Sequence, residues 1–413
     1  MTGDTVRLHV SLSFAGDHIP VGTLATDRRG IFFEYLPSFI ERQLHLSPFM
    51  LPLREGLHHL PDSPFNGLPG LFNDSLPDGW GRLLLHQELK GRGISPASLH
   101  PLDELAMVGS NGMGALAYHP EHPLGMPDEL VDLDTYAAAS RHILEGSTDD
   151  MLAELRAAAG TSAGARPKVL VTVDAAGSRI TTAAPNLEGE EAWIIKFPGS
   201  SDSADAGAIE YVYSLMAKEA GITMSACRLF PARRGPGYFG TRRFDRNRGR
   251  RLHVHSLSGL VHDDHRHPCF DYRDLLAATH KLTLNPAEVE AMFRLAVFNV
   301  LAHNRDDHSK NFAFIMEPDG RWSTAPAFDL TFSSGLNGYQ SMAVMDEARR
   351  PTLAHLRRLG TSAGIRASVI PFVVDQVSTA LASWPRLARA HGVVPANAAH
   401  IQRVIDTNIT ARA

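Results

Sequence analysis

The clearest periodic pattern in the chain lies in its second half, where apolar residues recur at intervals of three and four over positions 289–301. This spacing predicts a helix with one buried face, and an Asn-Pro pair at 285–286 supplies an N-cap and a first-turn proline. The polar run 303–311 follows, then the apolar run 312–316 and a Pro-Asp-Gly turn at 318–320. We therefore expect a helix, a rigidly held polar loop and a hairpin in succession.

Two apolar patterns upstream each carry one charged residue. Trp193–Phe197 is typical of a buried strand and contains a single lysine, Lys196. After a loop rich in Ser and Asp, apolar residues at helical spacing predict a helix that carries Glu210 and ends at Gly221. A lysine among apolar neighbours needs an anionic partner, and a strand lysine with a helix glutamate holds ATP phosphates in kinases. The alternative is an edge lysine and an unrelated surface glutamate.

The polar loop Asp306–Asn311, together with Asp329 eighteen positions further on, has the spacing of a phosphoryl-transfer site. Such a site needs a carboxylate at the incoming hydroxyl, oxygen ligands for magnesium and a second metal-binding carboxylate. Asp306 precedes Asn311 by the interval that separates the catalytic aspartate and the metal-binding asparagine of protein kinases. The alternative is a solvated loop whose charges cap the end of a helix.

A segment of small residues at 160–168 precedes the apolar run 169–173, which predicts a strand. Small residues let backbone amides approach phosphate groups closely. The segment lacks the Walker pattern, so a turn before a hairpin is the alternative interpretation.

Taken in order, these motifs resemble the HipA family, the serine/threonine kinase toxins of bacterial toxin–antitoxin systems. The resemblance covers nearly the whole chain. In the first part it is carried by Val21–Leu24, Phe33–Leu36, Leu71–Arg82, where Ser75–Arg82 is most specific, and Met107–Leu116. In the remainder it is carried by Ala163–Ala165, Ile194–Lys196, Thr241–Arg246 and Asp306–Asn311.

The resemblance implies an ATP- and magnesium-dependent protein kinase with Asp306 as catalytic base, Lys196 on the α- and β-phosphates and Glu210 as its supporting ion-pair partner. Asn311 and Asp329 are the implied magnesium ligands, and the Arg242–Phe244 stretch resembles the family's hinge, where backbone groups hydrogen-bond adenine. The implied nucleotide-binding residues are Ala163, Gly164, Ala165, Arg166, Pro167, Lys168, Lys196, Arg242, Arg243, Phe244, His308, Ser309, Lys310, Asn311, Phe328 and Asp329.

Two positions depart from the family's pattern. Members of the family can phosphorylate themselves on a serine in the glycine-rich loop, and that position falls at Thr161, with Ser162 adjacent. Both residues are therefore autophosphorylation candidates. Asp307 stands where the family often has glycine, and we expect its carboxylate to face solvent rather than bind metal.

We predict an α+β fold: a small β-rich N-terminal domain packed on a two-lobed protein-kinase-like core with a largely helical C-terminal lobe. The N-terminal domain spans about 1–120, and the Pro/His/Glu stretch 118–128 is typical of a linker. Residues 130–265 form a mixed N-lobe-like region with one main helix, and 266–413 form the helical lobe, including 371–382.

Composition fits a cytoplasmic enzyme. The 413 residues, 44% of them hydrophobic, allow two or three domains, with no signal peptide or membrane span. Cys227 and Cys269 are the only cysteines, so neither a disulfide framework nor a zinc site is indicated. A net charge of −5 argues against avid binding of nucleic acid, although the basic stretch Arg242–Arg251 could touch phosphates. The resemblance implies a helix-turn-helix antitoxin as partner, which would also contact operator DNA.

Other interpretations stay open. Five histidines and two aspartates within 253–267 could hold a metal, but their spacing is not that of a metalloprotease helix, and a solvated loop between lobes is favoured. Trp80, beside Pro77 and Gly79, is more typical of a packed turn than of a contact site.

Two other functions are compatible with the same scaffold. One is a catalytically silent co-repressor that binds nucleotide and antitoxin, and the other is a small-molecule kinase. The host protein target, for which the resemblance suggests an aminoacyl-tRNA synthetase, is not identified by any residue of the chain, because loops outside a nucleotide site choose the acceptor.

Overall fold

The computed structural model describes residues 6–14, 17–122, 130–146, 151–159, 164–184, 188–247, 250–267 and 270–410. The strands are β1 (Arg7–Phe14), β2 (Asp17–Asp27), β3 (Gly30–Tyr35), β4 (Leu57–His59), β5 (Leu116–His119), β6 (Lys168–Val173), β7 (Ile180–Thr181), β8 (Glu191–Lys196), β9 (Cys227–Phe230), β10 (Tyr238–Arg242), β11 (Arg246–Asn247), β12 (Arg250–Arg251), β13 (His253–Ser256), β14 (Ala313–Met316) and β15 (Trp322–Thr324). The helices are α1 (Pro37–Ile40), α2 (Gly70–Asn73), α3 (Gly79–Gly91), α4 (Pro101–Val108), α5 (Leu133–Leu144), α6 (Leu152–Ala159), α7 (Ala206–Glu219), α8 (Leu257–Val261), α9 (Tyr272–Thr283), α10 (Pro286–Leu301), α11 (Leu353–Ser362), α12 (Val369–Leu381), α13 (Trp384–Ala390) and α14 (Pro395–Thr410).

The first part of the chain forms an antiparallel sheet with strand order β4-β3-β2-β1-β5. Alternate apolar residues such as Leu8, Val10 and Leu12 are buried because successive side chains of a strand point to opposite faces. They pack against α2 and α4 in a core that also receives Met316 from β14. The N-terminal sheet therefore shares its core with the end of β14, which lies in the β13-β14-β15 sheet.

A second antiparallel sheet, β7-β6-β8-β10-β9, carries Lys196 at the end of its central strand. The expectation of one main helix in this region is wrong, because α5 and α6 accompany α7. Leu133, Tyr136 and Ser140 of α5 are buried at helical spacing, which was the available sequence signal. Trp80 of α3 is also buried in the core under this sheet, so it is a packed residue, as expected.

The C-terminal lobe is a helical core built around α10. The side chain of Asn285 accepts a hydrogen bond from the Ala287 amide at 3.0 Å, and Pro286 begins the helix, as the sequence predicts. Buried residues along α10 pack on α9, α12 and α14. The predicted hairpin is present as β14 and β15, and β13 pairs with β14 to complete a three-stranded sheet.

The contact between the N-terminal domain and the core is close and polar. A side chain at Gly70 would place its Cβ 2.0 Å from the Gly259 carbonyl oxygen, so the two backbones touch. The Asp74 carboxylate accepts hydrogen bonds from the Ser256 amide and hydroxyl at 2.7 and 2.6 Å, and lies 2.7 Å from the His255 imidazole. These contacts attach α2 to the start of α8.

Three arginines of the predicted basic stretch are part of this contact. Arg243 and Arg246 both donate to the buried carboxylate of Asp245, and Arg246 also donates to the carbonyl oxygens of Gly112 and Gly114 at 2.7 and 2.8 Å. The guanidinium of Arg251 contacts carbonyl oxygens of the same segment. These three arginines are therefore committed to contacts within the chain, whereas Arg242 and Arg250 are exposed, and the suggestion that the stretch touches phosphates stays a prediction.

The first part of the histidine-rich stretch is not a solvated loop, whereas Arg266 and His267 at its end are exposed. His253 and His255 are fully buried in β13, and burial lowers the pKa of His253 to about 4, with the neighbouring His255 adding to the effect. Within the described part of the chain, no group of three or more His, Cys, Asp or Glu side chains is arranged to hold a metal ion. Among the same residues, no helix has the length and apolar content needed to cross a membrane.

Candidate functional site

The centre of the candidate site is a lysine held between two carboxylates. Lys196, at the end of β8, donates to the Glu210 carboxylate of α7 at 2.5 Å and to the carboxylate of Asp329. The Lys196 side chain is 10% exposed and that of Glu210 is 3% exposed, so their charges have little access to water. Asp329 follows β15 and has a left-handed backbone, with φ of 57°. The contact thus joins the second sheet, α7 and the C-terminal lobe.

These charges control one another's ionisation. Burial alone would lower the pKa of Lys196, but Asp329 and Glu210 outweigh it and raise that pKa above the ordinary value. Burial would likewise raise the pKa of Asp329, but Lys196, Lys168 and Arg166 outweigh it and hold that pKa well below its usual range. Both groups are therefore charged across the physiological pH range.

A second lysine, Lys168, lies beside the glycine-rich loop. It begins β6 and is buried, and burial together with the charge of Lys196 lowers its pKa to about 8. Gly164 has φ of 93°, and a Cβ there would lie 2.6 Å from the Lys168 ammonium nitrogen. The positive φ favours glycine at this position, and a Cβ would in addition require the Lys168 side chain to shift.

Arg166 and Pro167 complete the described part of this loop, and Ala165 between Gly164 and Arg166 is exposed. The Arg166 guanidinium pairs with Asp202 at 3.0 Å and lies 3.7 Å from Glu210. The Pro167 carbonyl accepts the Phe197 amide at 2.8 Å. Thr161, Ser162 and Ala163 lie outside the described residues, so their predicted roles stay predictions.

The polar loop after α10 presents Asp306 to solvent. Its side chain is 64% exposed and lies 3.9 Å from the His308 imidazole. The side-chain amide of Asn311 donates to the Asp306 backbone carbonyl at 2.8 Å. Because that bond uses the amide nitrogen, the side-chain oxygen of Asn311 is the atom that remains suited to a cation.

Asp307 does not face solvent, contrary to our expectation. It is buried, and its carboxylate accepts hydrogen bonds from the Tyr272 hydroxyl at 2.6 Å, the Gln340 amide at 2.9 Å and the Ser341 backbone amide at 2.8 Å. Burial raises the pKa of Asp307 to about 6, even though these hydrogen bonds lower it. Asp307 therefore fixes the loop to α9 and to the segment that follows Asp329.

Two further residues of the loop are held by elements that sequence reasoning did not connect with it. The Ser309 hydroxyl donates to the buried Asp263, and the Lys310 ammonium donates to Asp78 of the N-terminal domain at 3.0 Å. Asp78 belongs to the most specific N-terminal motif, but nothing in its spacing relates it to Lys310. His265 lies 3.6 Å from Asp78, and its pKa is lowered to about 4 by burial and by Lys310.

The predicted hinge lies at the end of β10. The backbone amides of Arg242 and Arg243 already donate to carbonyl groups at 2.8 Å, and both guanidinium groups pair with carboxylates outside the Lys196 cluster. Any role of these two residues in nucleotide binding would therefore fall to other backbone groups. The rings of Phe244 and Phe328 lie 5.9 Å apart, centroid to centroid, which places an aromatic pair beside this strand end and next to Asp329.

Comparison with known proteins accounts for both parts of the chain. The family described as the HipA N-terminal domain matches residues 14–119, and the family described as the HipA-like C-terminal domain matches residues 160–384. The chain belongs to the HipA family. The first range runs from the last residue of β1 to the end of β5, and the second from the glycine-rich loop to the first residue of α13.

Individual relatives of this HipA-family chain are distant. A Sinorhizobium fredii protein named "Putative kinase Y4mE" is 25% identical over 363 residues, which cover 81% of this chain and 80% of the relative. A chain from the solved complex of the Shewanella oneidensis toxin–antitoxin system, HipA, HipB and its operator DNA, superposes with a TM-score of 0.73. That likeness covers 98% of this chain and 97% of the other at 18% identity, and it shows a shared fold.

Replacement of Asp307 by alanine should destabilise the protein. It leaves the Tyr272 hydroxyl and the amides of Gln340 and Ser341 without their acceptor, which we expect to cost about 3 kcal/mol. The thermal unfolding midpoint at pH 7.5 should fall by at least about 4 °C. Asp306→Ala, one residue away and exposed, is the matched control and should shift the midpoint by less than about 1 °C. Equal midpoints for the two variants would show that Asp307 anchors nothing.

Proposed function

We propose that this chain is an ATP- and magnesium-dependent protein serine/threonine kinase and acts as the toxin of a toxin–antitoxin pair. The observation that carries the proposal is the convergence of Lys196, Glu210 and Asp329 in one contact, with the Asp306–Asn311 loop anchored nearby. Family membership and the named kinase relative support the same assignment. An ion pair between Lys196 and one carboxylate would not by itself support a kinase, since many structural ion pairs perturb pKa values in the same way.

In the proposed reaction, a serine or threonine hydroxyl of the acceptor protein attacks the γ-phosphorus of ATP. A bond forms between that hydroxyl oxygen and phosphorus, the bond from the γ-phosphorus to the β–γ bridging oxygen breaks, and ADP leaves. Asp306 accepts the hydroxyl proton, for which its exposed carboxylate is suitably open. Lys196 and Lys168 supply positive charge to the phosphates, and their fixed positions reduce the reorganisation needed during transfer.

Asn311 and Asp329 are the residues we assign to magnesium. Both offer side-chain oxygens, the donors that this hard cation prefers, and one Asp329 oxygen remains when the other accepts Lys196. When bound, the ion would neutralise charge on the β- and γ-phosphates. Phe244 and Phe328 supply apolar surface of the kind that suits a purine.

Transfer should depend on Asp306. Purified protein would be incubated with magnesium and ATP labelled at the γ-phosphate, alone and with host lysate, followed by phosphosite mass spectrometry. Asp306→Ala should lower incorporation at least about 100-fold because it removes the proton acceptor. Asp319→Ala, which changes an exposed carboxylate in the β14–β15 turn, is the control and should retain full incorporation.

The outcomes of this experiment separate the possible functions. Label on a host protein supports the protein kinase, and label on Thr161 or Ser162 would identify an autophosphorylation site. Label on small molecules alone would indicate a small-molecule kinase, and bound ATP without transfer would indicate a silent co-repressor. Full incorporation by Asp306→Ala would refute the catalytic assignment.

The proposed antitoxin is a small helix-turn-helix protein that contacts operator DNA on behalf of the complex. Support comes from the Shewanella oneidensis structure, in which HipA occurs with HipB and operator DNA. We expect expression of the wild-type chain to arrest growth of its host, and Asp306→Ala, made to the same level, to leave growth normal. Co-expression with a helix-turn-helix protein encoded beside it should restore growth. Equal arrest by both variants would exclude phosphoryl transfer as the cause of toxicity.

ATP affinity should weaken as pH rises through 8. The pKa of Lys168 is about 8 in the free protein, and a nearby phosphate would raise it, so ATP binds with a proton that the free protein loses above pH 8. The Kd of wild-type protein should therefore increase, by at most about 10-fold per pH unit, between pH 8 and 9.5. Lys196, with its raised pKa, stays charged over this range.

Two variants test the origin of this pH dependence. Lys168→Met should bind ATP more weakly at pH 7 and show a flat profile, whereas Lys218→Met, at an exposed position on α7, should follow the wild type. Calorimetric titration of ATP into each variant, repeated from pH 7 to 9.5, gives the dependence of Kd on pH. A wild-type Kd that is constant from pH 7 to 9.5 would contradict the assignment of Lys168 to the phosphates.

A further inference from the structure

One turn of the N-terminal domain contacts both segments that flank the proposed phosphate site. Asp78 accepts the Lys310 ammonium of the polar loop at 3.0 Å. Two residues later, the Trp80 backbone amide donates to the Gly164 carbonyl at 3.0 Å, and its indole donates to the Lys168 carbonyl at 3.1 Å. The glycine-rich loop and the polar loop therefore both contact the segment Asp78–Trp80, which belongs to the N-terminal domain.

The geometry of this turn is specific. The Gly79 amide donates to the Asp78 carboxylate at 2.8 Å, which caps α3 and orients the carboxylate towards Lys310. Gly79 has φ of 41°, and a Cβ there would lie 2.5 Å from the Gly164 carbonyl oxygen. Only a glycine allows this approach, so the turn and the glycine-rich loop fit backbone to backbone.

The ion pair itself is shielded from solvent. The side chain of Lys310 is 10% exposed and that of Asp78 is 28% exposed. Burial would raise the pKa of Asp78, but Lys310 outweighs it and lowers that pKa to about 2. His265 also faces Asp78, and with its pKa lowered to about 4 it is neutral at pH 7. The Arg266 guanidinium interacts with Asp78 as well, and this adds to the rise in the pKa of Arg266 that Asp264 causes. Lys310 therefore pairs with an ionised carboxylate under all physiological conditions.

We propose that Asp78 is a positioning residue of the kinase, supplied by the N-terminal domain, which holds Lys310 and through it the Asp306–Asn311 loop against the glycine-rich loop. The activity part of this inference rests on the proposed function. Its structural part does not, because the loop is either restrained by Asp78 or it is not. A purely cohesive role for Asp78 would affect domain contact without a selective effect on the loop.

The test compares Asp78→Asn with Glu104→Gln in the full chain. Glu104 is a fitting control because it also loses a charge in the N-terminal domain, where it pairs with Arg82 of α3 at 3.5 Å, outside the loop. Hydrogen exchange of peptides covering 306–311 is measured first, since it needs no activity. We expect Asp78→Asn to speed exchange there at least about 5-fold, and Glu104→Gln to leave it unchanged.

Kinetics provide the second measurement. Asp78→Asn should lower kcat about 10-fold while the KM for ATP changes less than about 3-fold, because misplacement of the loop affects transfer more than nucleotide binding. Lys310→Gln added to Asp78→Asn should cause little further loss, since both variants break the same contact. Additive losses would show that the two residues act independently and would overturn the proposal.

The remaining outcomes are also decisive. Unchanged exchange at 306–311 in Asp78→Asn would overturn the proposal, and so would faster exchange spread evenly over the N-terminal domain, which indicates cohesion alone. If the wild-type chain transfers no phosphate, the proposed function fails. The exchange measurement then decides by itself whether Asp78 positions the loop.

Discussion

A single ammonium group holds together the parts of this molecule from which the candidate site is made. Lys196 comes from the second sheet, Glu210 from α7 and Asp329 from the C-terminal lobe. Removing such a charge from water is unfavourable by several kcal/mol unless partners replace the lost solvation. The two carboxylates provide that replacement, so one ammonium group links the sheet, α7 and the lobe. Phosphates entering the site would compete with Asp329 for the same ammonium.

In the polar loop after α10, exposed residues alternate with buried residues that are bonded to other elements. Asp307 and Ser309 are buried and bonded to other elements, whereas Asp306, between the helix and Asp307, is open to solvent. Each exposed group therefore has a neighbour in sequence that is fixed. This arrangement places the carboxylate that we propose as proton acceptor on the surface while its sequence neighbours are anchored, as catalysis by positioning would require.

Much of this architecture could be read from the sequence, and the parts that could not share a physical cause. The helical period of α10, its Asn-Pro start and the lone lysine of β8 are local patterns, and the structure contains all three. Asp307 and Asp78 are different, because their partners are distant in the chain. Tyr272 lies 35 positions before Asp307, and Lys310 lies 232 positions after Asp78. The sequence offered only metal binding or solvent for Asp307, because nothing near it in the chain indicated the distant donors that bury its carboxylate.

Burial of the arginines around Asp245 has a consequence for how the chain can change over evolutionary time. Arg246 and Arg251 end their hydrogen bonds on carbonyl oxygens between positions 110 and 116, which belong to the other domain. A shortened gene that encoded only the C-terminal domain would leave Arg251 without these carbonyl acceptors, Arg246 with Asp245 alone, and Asp245 without the Gly114 amide that donates to it at 2.8 Å. Gene fission at this boundary is therefore penalised by the protein's own interior, and the two halves are hard to inherit separately.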